Sequence, residues 1–195
     1  MSRAWVDQSL LERMVSAVER VRDRLVRATS ALEAAGVPYA VIGGNAVAAW
    51  VATIDPGAVR NTNDVDVLLR RADLDAATKA LSAAGFVHAQ VAGVEMFLGP
   101  DATPRSAVHV IVAGEKVRER DSIPAPDLAE TAQPEKFHVI PVEALLRMKL
   151  TAFRLKDRVH ILDMLEVGLI DATWKPRLPP DLAARLQTLI DTPEG

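Results

Sequence analysis

The run Asn63-Asp64-Val65-Asp66-Val67-Leu68-Leu69 constrains this chain more than any other stretch. As a β-strand, its alternation sends Asp64 and Asp66 to one face and Val65, Val67 and Leu69 to the other. The strand must therefore bury an apolar face while presenting two carboxylates one pleat apart, and such a pair makes a divalent-cation site. Upstream, Val41-Ile42-Gly43-Gly44-Asn45-Ala46 ends an apolar run on two glycines. A tight turn there leaves backbone N–H groups uncovered, and a phosphate can approach them closely. Taken singly, each piece also has a plainer reading: Gly43-Gly44 as a structural turn, and the acidic pair as the solvent face of an edge strand.

A chain of 195 residues supports one well-buried core, or a core with an appended helical unit, and is too short for two full domains. Hydrophobic residues make up 49% and charged residues 25%, which excludes a disordered chain. Aromatics are only 4%, so Val, Leu, Ile and Ala must fill the interior. A net charge of -3 and a pI near 5.8 argue against a broad nucleic-acid surface. The absence of cysteine excludes disulfides, thiolate zinc sites and cysteine nucleophiles, and fits a reducing compartment. Charged residues interrupt the N-terminal apolar positions, and no later run is long enough to cross a bilayer. A cytoplasmic protein with no membrane partner is the expectation.

Taken in order, apolar residues recur at threes and fours from Gln8 to Ala35, predicting a long amphipathic helix stopped by Gly36. A short buried strand is expected over Tyr39 to Ile42, a helix over Asn45 to Val51, and a loop over Ala52 to Asn61. Beyond the acidic strand, Asp73 is placed to cap a helix that Gly85 stops. Phe86 to Val91 and Val94 to Leu98 read as a hairpin about Ala92-Gly93, and Ala107 to Val112 as a buried strand. Asp121 to Pro134 reads as an exposed connection and Phe137 to Ile140 as a final edge strand. Helical periodicity returns from Val142: Leu145, Leu146, Met148, Leu150 and Phe153 predict one helix, Val159, Ile161, Leu162, Leu165 and Val167 another stopped at Gly168, and Leu182, Leu186, Leu189 and Ile190 a last one. The expected fold is α+β, a mixed sheet flanked by helices, with residues 1–35 as a packing helix, 36–141 as the α/β core and 142–195 as a C-terminal helical lobe.

In that tail, Lys149, Arg154, Lys156, Asp157, Arg158 and Asp163 read with equal weight as a solvated face of salt-bridging pairs or as a phosphate-binding set. Lys149 and Lys156 are seven apart, which in one helix places them on one face. Trp50 and Trp174 read as core or lobe-interface anchors.

The combination of Gly43-Gly44, Thr62-x-Asp64-x-Asp66 on a strand, and a helical tail containing Lys149 resembles the nucleotidyltransferase (polymerase beta-like) superfamily. It looks closest to the AbiEii and MNT-type bacterial toxins of toxin–antitoxin systems. The resemblance covers about residues 36 to 165. It implies a nucleoside triphosphate (NTP) as substrate, with Gly43, Gly44 and Thr62 at its phosphates, Asp64 and Asp66 holding Mg2+, and Lys149 and Lys156 reaching the phosphates from the helical lobe. It further implies NMP transfer to a hydroxyl acceptor, whether tRNA, protein or small molecule, and a possible antitoxin partner.

Two aspartates suffice for Mg2+, which takes one or two protein carboxylates and completes its octahedron with water and phosphate oxygens. Active members of the family carry a third acid on a neighbouring strand. Here the matching strand is Ala107-Val108-His109-Val110-Ile111-Val112, with His109 in that place. If Val108, Val110 and Val112 face the core, His109 faces the cleft, where imidazole can accept a proton but binds magnesium poorly. A histidine hydrogen-bonded within the fold is the equal alternative, and nothing in the spacing selects Glu95 or Glu115 as a substitute acid. The second functional class is therefore a catalytically impaired nucleotide-binding or partner-binding module.

Overall fold

The computed structural model describes residues 8–99, 107–128 and 137–192. Residues 1–7, the 129–134 part of the expected connection and residues 193–195 lie outside the described residues. Helix α1 (Gln8–Ala34) leads to strand β1 (Ala40–Ile42) and helix α2 (Gly43–Ala52), and then to strand β2 (Val65–Leu69). Helix α3 (Leu74–Ala83), strands β3 (Val87–Val91), β4 (Val94–Leu98) and β5 (Val108–Val112), and helices α4 (Val142–Ala152), α5 (Leu155–Glu166) and α6 (Pro180–Asp191) follow. This is the expected α+β class: one mixed five-stranded sheet flanked by helices.

The sheet order is β1-β2-β5-β4-β3. Only β2 and β5 run parallel, and the three other pairings are antiparallel. The parallel pair sits in the middle, where both faces are covered, which is why Val65-Asp66-Val67-Leu68-Leu69 and Val108-His109-Val110-Ile111-Val112 are almost wholly apolar. Each carries one polar exception, and the register sets Asp66 directly opposite His109.

Helices α1 and α3 pack on each other, α1 also against β2 and β5, and α3 against β3. Along α1 the stripe Val21, Leu25, Ala28 and Leu32 is buried, as its spacing predicts. On the other side α2, α4 and α5 form one contiguous group, with α6 packed on α4 and α5. The orphan carbonyls at the end of α4 are met from α6: the Arg185 guanidinium donates to Leu150 O (2.6 Å) and Thr151 O (3.0 Å). The chain then turns at Phe153, a non-glycine residue at φ 45°, whose ring lies under the guanidiniums of both Arg158 and Arg185.

Several expectations change. Helix α2 starts at Gly43, two residues before the expected Asn45, with the turn made at its first residue by the positive φ of Gly43. The connection expected to be exposed is folded inward over its described part, where Asp121, Ala125 and Leu128 are buried, because backbone bonds from Gly114 to Ala125 and from Ala125 to Glu115 close the loop on itself. The final edge strand shrinks to a single bridge, Val139 beside Val41 on the free side of β1. Trp50 is an anchor as expected, its indole N–H donating to Ile140 O at 2.9 Å.

Phe97 is fully buried. Phe97→Ala is expected to lower stability by about 3–5 kcal/mol, whereas Met14→Ala, on the exposed half of α1, should change it by less than about 0.5 kcal/mol. Urea unfolding of both variants measures the contrast.

Candidate functional site

The site forms where β1 ends. Antiparallel pairing with β2 sets Ile42 across from Asp66, so the next residue of the chain passes directly over the Asp66 carboxylate. That residue is Gly43, at φ +71°, and a Cβ there would overlap Asp66 Oδ2. A Cβ on Gly44 would lie 2.7 Å from Thr62 Oγ1. Gly43 is therefore required by contact as well as by backbone angle, and Gly44 by contact alone. The consequence is that the first turn of α2 lies against the two residues that precede and open the acidic strand.

Ile42, at the N-cap of α2, supplies no side-chain oxygen to the first-turn amides, and no acidic residue occupies that turn. Those N–H groups carry the positive end of the helix, and Gly43 and Gly44, its first two residues, line a cavity. Asn45, one residue on, donates from Nδ2 to Asp64 O at 2.7 Å and ties the helix to the start of β2.

Asp64 and Asp66 both line that cavity, of about 390 Å³, together with Thr62, Lys156 and His160. A second cavity of about 150 Å³ adjoins it, and the two share Gly43, Asp66, Lys149, Arg154 and Lys156. The second is more apolar, walled by Ile42 and Ile111 of the sheet, Val117 and Ile123 of the folded loop, and Leu145 and Met148 of α4. The glycines, both aspartates and both lysines thus converge on one cleft between the sheet and α4–α5.

Charges in the cleft are paired. Lys156 Nζ, on a half-exposed side chain, donates to Asp64 Oδ2 at 3.1 Å. His109 Nδ1 stands 3.6 Å from Asp66 Oδ1. Parallel register makes His109 share a face with Asp66, although it lines neither cavity. Neither alternative acid is there. Glu95 pairs in register with Val110, on the opposite face, and accepts from His88 and Gln90. Glu115 is engaged by both Nε and NH2 of Arg71 at 2.6 and 2.7 Å.

Lys149 departs from the reading as a solvated face and from a helical face shared with Lys156. It is neither on a solvated face nor on the same helix as Lys156: the chain turns at Phe153, so Lys149 belongs to α4 and Lys156 to α5. It is also only 5% exposed. Its ammonium donates to Asp157 Oδ1 at 3.2 Å and to His160 Nδ1 at 2.9 Å. Asp157, 1% exposed, accepts in addition from Arg154 Nε at 2.6 Å and from the Arg154 backbone N–H at 3.2 Å, closing the first turn of α5.

Burial lowers the pKa of Lys149, with Asp157 and Asp66 opposing the shift. Burial alone would raise that of Asp157, but the Arg154 and Lys149 contacts outweigh it and hold the carboxyl below its usual range. His160 is pushed down to about 4, by burial first and by the Lys149 charge second. It is therefore neutral at pH 7 and able to accept the Lys149 proton donor.

His160 was not singled out from sequence, and neither was the ion pair of Arg60 with Asp163, two bonds of 2.9 Å that pin the 52–61 segment to α5. A signal for the buried network does exist. Lys149 stands in the stripe Leu145, Leu146, Leu150, and Asp157 in the stripe Ile161, Met164, so each is a charge at a core position.

Among the described residues no group of three or more His, Asp or Glu is arranged to hold a metal ion. The donor set that does exist, two carboxylates on a cavity that the first residues of α2 also line, fits one hard cation whose other ligands come from phosphate and water.

The His160 shift has a pH consequence. Between about pH 6.5 and 4 the unfolded chain binds a proton at this site that the folded chain does not, so stability contributed here is full above pH 6.5 and is lost as pH falls toward 4. Denaturant midpoints across this window should fall, and His160→Gln, which keeps an acceptor for Lys149, should flatten the slope. Asp157→Asn leaves the buried ammonium without its counter-ion and should cost about 3–5 kcal/mol at pH 7 in the same assay.

No family model matches the chain, and no curated protein matches it. Among solved structures, the chain is similar to the antibiotic-resistance factor ANT(2'')-Ia at 11% identity, covering 93% of this chain and 84% of that one, with a TM-score of 0.42. It is also similar to an antigenic nucleotidyltransferase-like protein from Paracoccidioides brasiliensis at 17% identity, covering 89% and 88%, with a TM-score of 0.49.

Proposed function

We propose that this chain is a nucleotidyltransferase-fold protein that binds an NTP in the cleft and transfers NMP to a hydroxyl acceptor. One observation carries the reading. Two glycines that tolerate no side chain bring the uncapped first turn of α2 into the same cavity as Asp64 and Asp66. Helix amides favour phosphate, and paired carboxylates favour a hard cation; a phosphate–cation pair satisfies both at once. Mg2+, held by Asp64 and Asp66, would supply charge neutralisation at the phosphates.

In this reading Gly43, Gly44 and Thr62 seat the phosphates. Lys156 moves from Asp64 to a phosphate oxygen, a short rotation for a half-exposed side chain. Lys149, fixed by Asp157 and His160, presents a stationary positive charge at the floor. The acceptor oxygen bonds to the α-phosphorus, the bond from that phosphorus to the bridging oxygen breaks, and pyrophosphate leaves. The acceptor proton passes to His109, which stands beside Asp66 where imidazole can take it. The toxin–antitoxin setting, with an antitoxin partner, is proposed on the sequence resemblance, and the cytoplasmic location on the cysteine-free composition and the charge-interrupted N-terminal apolar positions.

A second reading is a nucleotide-binding or partner-binding module without turnover. It is favoured by the histidine in register with Asp66 and by the seating of Lys156 on Asp64. Incubation with labelled NTPs, magnesium and cell extract separates the two. The enzyme reading expects labelled acceptor from wild type and at least about a hundredfold less from Asp64→Asn combined with Asp66→Asn, given that a removed transition-state charge partner costs that order. His109→Ala should lower transfer while leaving NTP affinity by calorimetry near wild type. Equal labelling in wild type and the double variant refutes the enzyme; NTP binding without any labelling establishes the module.

A further inference from the structure

Strand β3 closes the sheet on the side away from the cleft, and among the described residues nothing pairs with its outer edge. We propose that this edge is a self-association surface: two copies pair their β3 strands antiparallel about a two-fold axis at Ala89, joining two five-stranded sheets into one. The inference is independent of the nucleotide reading.

The strand is Val87-His88-Ala89-Gln90-Val91, and its pattern of apolar, polar, small, polar, apolar reads the same from either end. An isologous contact demands this, because the same patch must complement itself. About Ala89, Val87 comes opposite Val91 of the partner subunit, and His88 opposite Gln90 of the partner subunit. Valine then meets valine on one face and a polar pair forms on the other.

The backbone has the matching phase. Ala92 and Gly93 both have positive φ, 51° and 79°, which makes a two-residue turn with Val91 and Val94 as the hydrogen-bonded pair that closes it. Pairs alternate along the ladder, so Val87, Ala89 and Val91 direct N–H and C=O toward β4, while His88 and Gln90 direct theirs to the open edge. In the two-fold pairing these become reciprocal bonds across the interface, and the two Ala89 residues form the close, non-hydrogen-bonded pair at the axis.

Edge strands are ordinarily guarded by lysine, proline, a bulge or inward charge. Here the register with β4 is unbroken from Val87 to Val91, and the strand contains none of those residues. Its polar side chains are drawn to one face, where Glu95 accepts from His88 at 2.7 Å and from Gln90 at 2.8 Å. The other face keeps Val87, Val91 and the neighbouring Val94 at 64%, 46% and 40% exposure. Pairing would merge two such patches into one.

The full chain tests this directly because it has no cysteine of its own. Light-scattering mass should rise with concentration from 21.1 kDa toward twice that value. Gln90→Pro removes an edge N–H and should hold the chain at 21.1 kDa with an unchanged far-UV spectrum. Ala89→Cys places two thiols across the axis within disulfide reach and should cross-link under mild oxidation at least about tenfold faster than His88→Cys, whose opposite residue is Gln90 of the partner subunit. If Gln90→Pro does not fold, the two cysteine variants decide alone. A wild type that stays monomeric at every concentration, a Gln90→Pro protein that dimerises like wild type, or equal cross-linking of the two cysteine variants overturns the proposal.

Discussion

Pairing between β1 and β2 sets Ile42 across from Asp66, and the cleft follows from that register. The chain leaves β1 directly above a carboxylate, and a side chain at the next position would collide with it. Glycine at 43, and again at 44 above Thr62, lets the backbone descend, and α2 begins at once with its first two residues lining the same cavity as the acids. A shift of one residue in this pairing would turn Asp66 into the core and break every contact described for the site. The neighbouring pairing of β2 with β5 fixes the third member of the group, His109, by the same means.

The opposite wall is organised by charge. Lys149 and Asp157 are buried at positions where neighbouring turns of their helices carry leucine, isoleucine and methionine. Desolvating such a pair is costly, and a hydrophobic pair of equal volume would be at least as stable. Their retention beside an open cavity is what a binding site requires: a positive charge held in place before the ligand arrives, with no side-chain freedom left to lose. Arg154 on the Asp157 carboxylate and a neutral His160 on the Lys149 ammonium complete that fixation. Lys156 differs in kind, being half exposed and bound to a single carboxylate oxygen.

Much of the sheet was legible because alternation and glycine punctuation are local signals. Asp64-Val65-Asp66 declared its two faces, Ala92-Gly93 its hairpin, and the glycine pair its place beside the acids. What stayed hidden depends on contacts far apart in sequence. Nothing near Asp121 shows that its loop folds inward, since that follows from backbone bonds between residues 114–115 and Ala125. The helix break was legible, since one apolar stripe ends at Phe153 and the next starts by Val159, and with Lys149 and Lys156 on different helices their seven-residue spacing places them on no common helical face. The buried network was visible in principle as charges on apolar stripes. It was passed over because the same charges, spaced one turn apart, also describe an ordinary solvent face.

That left-handed Phe153 joins α4, which carries Lys149, to α5, which carries Asp157, His160 and Lys156. Its backbone angle is unfavourable for a residue with a Cβ, by about 1 kcal/mol, yet its ring is gripped between two guanidiniums on different helices. The elbow between α4 and α5 is thus set by an aromatic wedge and not by a flexible joint. A glycine in its place would relax the torsion while dissolving the wedge, and the angle at which α5 presents Asp157 and His160 to Lys149 would lose its anchor.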